Sequence, residues 1–170
     1  IALTKHAKKA GADGALLITP YYNKPTQEGL FLHYKAVAEA VDLPLVLYNI
    51  PGRTGVNMMP STVARLTACR TIVAIKEGSG SVQQASEIIQ LCGERLTVLA
   101  GDDALTLPMM AVGGKGVITV TANLVPTEMA QLVNAFVAGR VDDARAMHYQ
   151  LYPLFTALFY ETNPIPVKEA

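Results

Sequence analysis

Lys76 stands near the end of an otherwise apolar run, Ile72-Val73-Ala74-Ile75-Lys76-Glu77-Gly78, where its ammonium meets the edge of a packed interior at a cost. A lysine with the ordinary pKa of about 10.4 is only about 0.04% deprotonated at pH 7. Burial disfavours the charged form, and a neutral amine attacks carbonyl carbons to form Schiff bases. The competing reading is a snorkelling lysine held in a structural ion pair. A second cluster is Leu47-Tyr48-Asn49-Ile50-Pro51-Gly52-Arg53-Thr54-Gly55. Tyr48 offers a phenol for proton transfer, and Arg53, displayed on a Pro-Gly turn, offers a guanidinium for a carboxylate. A packed tyrosine beside a solvated arginine fits the same residues. In Pro20-Tyr21-Tyr22-Asn23-Lys24-Pro25, adjacent tyrosines in a polar loop suit an interface, an active-site rim or simple packing.

Other chemistry lacks its residues. Gly113-Gly114-Lys115-Gly116 has neither the phosphate-loop spacing nor a Ser or Thr after the lysine, so it reads as a helix stop and strand start. His6, His33 and His148 are without the companions that a zinc site needs. Asp102-Asp103 reads as the N-terminal cap of a helix, and Met58-Met59 and Met109-Met110 as gap fillers.

These candidates sit in 170 residues, the size of one domain, with 51% hydrophobic and 16% charged residues. Fourteen basic residues balance fourteen acidic ones, without the basic excess of a nucleic-acid or anionic-membrane binder. Cys69 and Cys92 lie in apolar helical patterns and read as reduced core thiols of a cytoplasmic protein. No apolar run reaches the length of a membrane span. Ile1 to Ala10 reads as the tail of an amphipathic helix with no initiator Met, and Asn163 to Ala170 as a Pro-rich turn opening another helix. The expectation is a piece of a longer protein.

Short apolar runs alternate with segments of helical periodicity. Five strands are expected, at 15–19, 45–50, 72–77, 96–100 and 116–121, each apolar enough to be covered on both faces. Leu30, Tyr34, Val37, Ala38 and Val41 share one helix face, and Val82, Ala85, Ile89 and Cys92 share another. Ser81 with Gln84 forms a capping box, Gly93 follows the second helix, Gly113-Gly114 closes a helix begun near Asp103, and Pro126 or Thr127 opens the next. After Gly139 the pattern is helix alone, through Ala144, Met147, Leu151, Leu154 and Leu158. Such strand and helix units imply parallel strands with right-handed crossovers, in an open doubly wound sheet or in part of an eight-fold barrel. Alternation puts Lys76 on the face of Ala74, with Val73 and Ile75 toward the covering helices. Tyr48, Lys76 and Gly101-Asp102 fall at the C-terminal ends of successive strands, where barrel enzymes gather their catalytic groups. No Gly-rich first turn marks the crevice of an open sheet.

The collinear series Tyr48-Asn49-Ile50-Pro51-x-Arg53-Thr54-Gly55, Ile75-Lys76-Glu77, Gly101-Asp102-Asp103 and Gly116-Val117-Ile118-Thr119-Val120, with Pro20-Tyr21-Tyr22-Asn23 and Asn163-Pro164-Ile165-Pro166-Val167-Lys168, resembles the 4-hydroxy-tetrahydrodipicolinate (dihydrodipicolinate) synthase family. The resemblance implies an α/β fold, a (β/α)8 TIM barrel. About the last five βα units are present at 1–139, and a C-terminal helical extension begins at 140–170. It implies a lyase condensing pyruvate with aspartate semialdehyde in lysine and diaminopimelate biosynthesis, without metal or organic cofactor. It makes Lys76 the Schiff-base lysine, Tyr48 the proton relay, and Tyr22 the tyrosine lent across a dimer interface. Arg53 receives the semialdehyde carboxylate, the backbones of Gly101 and Ile118 line the pyruvate site, and Tyr21 is a remnant of a lysine-effector site. A homo-oligomer, a dimer of dimers, is implied as well. N-acetylneuraminate lyase and keto-deoxy-sugar aldolases share the lysine and tyrosine; Arg53 and Ala104 favour the synthase. A non-catalytic keto-acid-binding barrel is the alternative outside enzymology. The family's Gly-Thr-Thr-Gly-Glu segment is missing from these residues, so the 170-residue chain alone is expected to be inactive.

Overall fold

Runs of Val, Ile and Leu bounded by Gly, Pro and Asn form short strands, and the periodic segments between them form helices, in the computed structural model, which describes residues 1–170. The order is α1 (Ala2–Lys9), β1 (Ala15–Ile18), α2 (Gln27–Ala40), β2 (Leu45–Asn49), α3 (Pro51–Thr54), α4 (Pro60–Leu66), β3 (Ile72–Glu77), α5 (Val82–Cys92), β4 (Thr97–Ala100), α6 (Thr106–Ala111), α7 (Pro126–Val137), α8 (Val141–Ala157) and α9 (Ile165–Glu169). The Thr26 hydroxyl accepts from Gly29 N to cap α2, and the Ser81 hydroxyl accepts from Gln84 N at 3.1 Å to cap α5.

All strand pairs are parallel and the sheet order is β1-β2-β3-β4, the order of the chain itself. An open doubly wound sheet reverses its strand order at a switch point; here there is no reversal, as in the arc of a barrel. The two faces of the sheet differ accordingly. Leu45, Leu47, Ile75 and Val98 pack with Leu30, Tyr34, Leu66 and Ile88 of the helices in an 18-residue core. On the other face Leu16 and Ile18 are exposed, and Val46, Tyr48 and Leu99 are half-buried. A second cluster, Met129, Leu132, Leu151 and Phe155, joins α7 to α8. Cys92 lies in the main core and Cys69 is partly buried; both are free thiols. No helix is long and apolar enough to cross a membrane.

Two expectations change. The fifth strand, expected at 116–121, does not form. Val117 makes a single parallel bridge to Ala100, with Ala100 N donating to Gly116 O at 2.8 Å and Ile118 N donating to Ala100 O at 3.0 Å. Beyond it the Asp103 carboxylate accepts from Val120 N at 3.1 Å and Thr121 N at 2.8 Å, which takes the ladder's donors and turns the chain into a 3-10 turn at Thr121–Asn123. The segment therefore runs beside β4 as an edge of three hydrogen-bonded residues. The other change concerns Val73, expected to face the helices. The β2–β3 register slips between Leu45 and Val46, so that Leu45 pairs with Ile72 and Val46 with Ala74. Val73 is the extra residue of this irregularity and is exposed, while Ile72 and Ile75 both keep the helix side.

Candidate active site

Past the slip, alternation resumes and fixes which residues meet. Tyr48 pairs with Lys76 and, one rung on, Asn49 pairs with Glu77. Tyr48 and Lys76 point away from the helix-packed core, so the Lys76 Nζ lies 4.4 Å from the centre of the Tyr48 ring. Lys76 is only 9% exposed and belongs to none of the chain's four ion pairs, all of which are on the surface. The snorkelling ion-pair reading thus lacks its partner. Burial lowers the lysine's pKa below its ordinary value, opposed in part by the negative charge of Asp103. Burial also raises the Tyr48 phenol, opposed by the positive charge of Arg53, so the phenol holds its proton near neutrality.

Arg53 is carried on α3, a single helical turn begun by Pro51 and ended by Gly55 in the left-handed conformation at φ 69°. The Thr54 hydroxyl, buried beneath it, lies within donating distance of Val56 O at 2.9 Å and Ile50 O at 3.1 Å. The guanidinium is exposed and donates through Nη2 to the Asn163 carbonyl at 2.9 Å, which ties the end of α3 to the segment before α9. The Tyr21-Tyr22 loop reaches the same end of the sheet, since the Lys24 side chain lies against Gly55. Tyr21 and Tyr22 project from it, 62% and 90% exposed.

Gly101 follows β4, and its N donates to Glu77 O at 2.7 Å. A Cβ built there meets the Gly78 Cα at 2.9 Å and Glu77 O at 3.0 Å, so glycine is what lets β4 close on the end of β3. Ile118 lies beside it, half-buried, in the segment bridged to Ala100. Asp102 caps the following turn by accepting from Ala104 N at 2.9 Å. Asp103, expected to share that role, is buried and gathers Val120 N, Thr121 N and the Thr121 hydroxyl on one oxygen. No group of three His, Cys, Asp or Glu side chains is placed to hold a metal ion.

Sequence reasoning missed the carboxylate behind the lysine. Glu77 is fully buried and accepts from Asn49 Nδ2 at 3.1 Å, Ser79 N at 2.7 Å and Gln84 Nε2 at 3.2 Å. Asn49, Asn57 and Gln84 come from β2, the loop after α3, and α5. In the sequence Asn49 stands out only as a polar residue ending the apolar run of β2, Gln84 only as the partner of Ser81 in a capping box, and Asn57 not at all.

A four-strand parallel arc with helices on one face, and a nearly buried lysine against a half-buried tyrosine at its C-terminal ends, is the arrangement of part of a (β/α)8 barrel. The chain matches the profile of the dihydrodipicolinate synthetase family over residues 1–170, and it belongs to that family. It is 65% identical over 170 residues to the 4-hydroxy-tetrahydrodipicolinate synthase of Geotalea uraniireducens, a match covering all of this chain and 59% of that protein. The dihydrodipicolinate synthase of Aquifex aeolicus superposes with a TM-score of 0.96 at 53% identity, over 98% of this chain and 57% of that one. The chloride-inhibited dihydrodipicolinate synthase of Acinetobacter baumannii, solved with pyruvate, gives 0.95 at 47% identity, over 98% and 57%. The chain thus spans rather more than half the length of the relatives it matches.

Proposed function

We propose that the protein carrying these residues condenses pyruvate with aspartate semialdehyde to 4-hydroxy-tetrahydrodipicolinate, a step of lysine and diaminopimelate biosynthesis. The observation that carries the reading is the nearly buried, ion-pair-free Lys76 with its Nζ against the Tyr48 ring, at the end of the barrel where such enzymes react. The names of the relatives and the pyruvate complex of the Acinetobacter enzyme support the choice of substrates.

In this mechanism the neutral Lys76 amine attacks C2 of pyruvate, and the carbonyl oxygen leaves as water, giving an iminium. Tyr48 passes protons between the amine, the departing oxygen and solvent. The iminium acidifies the adjacent methyl, whose lost proton leaves an enamine; the enamine carbon bonds to the aldehyde carbon, which restores the iminium at C2 while the aldehyde oxygen takes up a proton and becomes a hydroxyl. The semialdehyde's amino nitrogen then attacks C2 and displaces the Lys76 amine, which closes the ring and frees the enzyme. No organic cofactor or metal is needed, because the iminium is the electron sink. Arg53 receives the semialdehyde carboxylate. The backbones at Gly101 and Ile118 line the pyruvate pocket. Tyr22, projecting from its loop, serves the relay of a neighbouring subunit, and Tyr21 belongs to an effector site for lysine. The assembly is a cytoplasmic homo-oligomer, a dimer of dimers, with residues 1–139 in the barrel and 140–170 in a helical extension.

Steady-state turnover of the full-length protein with pyruvate and either aspartate semialdehyde or N-acetylmannosamine tests the assignment. Turnover with the semialdehyde is expected; turnover with the amino sugar alone moves the protein to the sugar lyases.

A further inference from the structure

A buried carboxylate with no cation beside it is costly unless its hydrogen bonds are complete. Glu77 is such a group: fully buried, outside every ion pair, and supplied by neutral donors alone. Those donors are themselves braced. Asn57 Oδ1 accepts from Asn49 Nδ2 at 2.8 Å and from Gln84 Nε2 at 3.1 Å, while Asn57 Nδ2 donates to Gln84 Oε1 at 2.8 Å. Asn49 Oδ1 accepts from Met58 N at 2.9 Å. The polar cluster therefore joins the ends of β2 and β3, the loop after α3 and the first turn of α5. Its place in the ladder is telling, because Tyr48–Lys76 and Asn49–Glu77 are consecutive rungs of one strand pair. Alternation sends the first rung toward the reacting face and the second toward the helices.

We propose that Glu77, with Asn49, is a positioning pair that locks the ends of β2 and β3 in register and so holds Lys76 against Tyr48. This role deepens the Schiff-base reading and rests on it. The carboxylate touches no reacting atom. It acts by denying both strand ends the small slips and separations that would part amine from phenol, and displacements of about 1 Å cost reactivity on the order of 100-fold.

The test measures the rate of borohydride-trapped pyruvate adduct per folded molecule in the full-length protein, across pH, beside the thermal midpoint. Glu77→Gln turns an amide nitrogen toward donors and is expected to slow trapping by about 10- to 100-fold and to alter its pH profile. Adding Asn49→Asp restores an amide–carboxylate pair of reversed direction, and the double variant is expected to recover most of the rate. Trapping that is unchanged per folded molecule in Glu77→Gln, or a double variant no faster than the single one, overturns the proposal. Should Glu77→Gln not fold, Asn57→Ser takes its place: it leaves the carboxylate intact but unbraces its donors, a slower trapping rate supports the role, and an unchanged one refutes it. An unsubstituted protein that forms no adduct removes the Schiff-base reading, and the positioning role falls with it.

Discussion

Gly101→Ala adds one methyl group where β4 closes on the end of β3. The new carbon meets the Gly78 Cα at 2.9 Å, Glu77 O at 3.0 Å and the Glu77 carbonyl carbon at 3.1 Å. Ordinary carbon–carbon contact begins near ~3.5 Å, so the strand ends must part by about 0.5 Å. All three atoms are backbone, and the Gly101 N to Glu77 O hydrogen bond of 2.7 Å holds them together, so no side chain can swing aside to absorb the strain. Overpacking of this kind costs about 1 to 3 kcal/mol, and lowers the thermal midpoint by about 2 to 10 °C. The residues pushed are Glu77 and Gly78, directly after Lys76, so adduct formation with pyruvate is expected to slow by about tenfold. Gly52→Ala, where a methyl meets nothing within 4 Å, is the control for the midpoint. A Gly101→Ala protein with the midpoint and trapping rate of the unsubstituted protein refutes the reasoning, because it would mean that the β3–β4 contact yields freely.

Three further outcomes follow from the geometry. In Lys76→Met, adduct formation is lost while stability at pH 7 holds or rises by about 1 kcal/mol, since an unpaired buried charge is removed. The sign with pH is definite: the folded lysine's pKa is lowered, so the folded state binds fewer protons than the unfolded one as pH climbs from that lowered value to the ordinary 10.5. Stability gains from this group in that window and loses the gain on acidification, so midpoints of Lys76→Met and the parent, taken from pH 7 to 10.5, converge; a constant gap counts against burial as the cause. Arg53→Ala is expected to raise KM for the semialdehyde by about 10-fold or more, the loss of one charge-assisted contact, while leaving pyruvate trapping nearly unchanged; equal loss in both assays contradicts its place as a carboxylate receiver. The isolated 170-residue chain, with Leu16 and Ile18 of its inner sheet face bare, is expected to show no turnover, and normal turnover in a coupled assay defeats that expectation.

Much of the fold could be read in advance because strand and helix periods carry it. β3 begins and ends where its apolar run does, and the strand ends that present Tyr48 and Lys76 follow from chain order. What escaped was decided by contacts between distant residues. The register slip that exposes Val73 depends on how β2 meets β3, and no local pattern in either strand marks it. The segment at 116–121 has the composition of a strand, yet a carboxylate at Asp103 captures two of its amide donors. Glu77 carries no sign of its burial in the sequence, being one polar residue at the end of an apolar strand. Its role emerges only when Asn49, Asn57 and Gln84 arrive from separate elements. The link from Arg53 to the Asn163 carbonyl joins residues 110 apart, and backbone acceptors leave no trace in residue types.

The central claim is that Lys76 is the nucleophile. Reducing the full-length protein with borohydride in the presence of pyruvate, then locating the added mass by peptide mass spectrometry, tests it most directly. The account predicts a single reduced adduct on Lys76 in the peptide containing Ile75-Lys76-Glu77, absent from Lys76→Met. An adduct on another lysine, or none in protein shown to be folded, contradicts it.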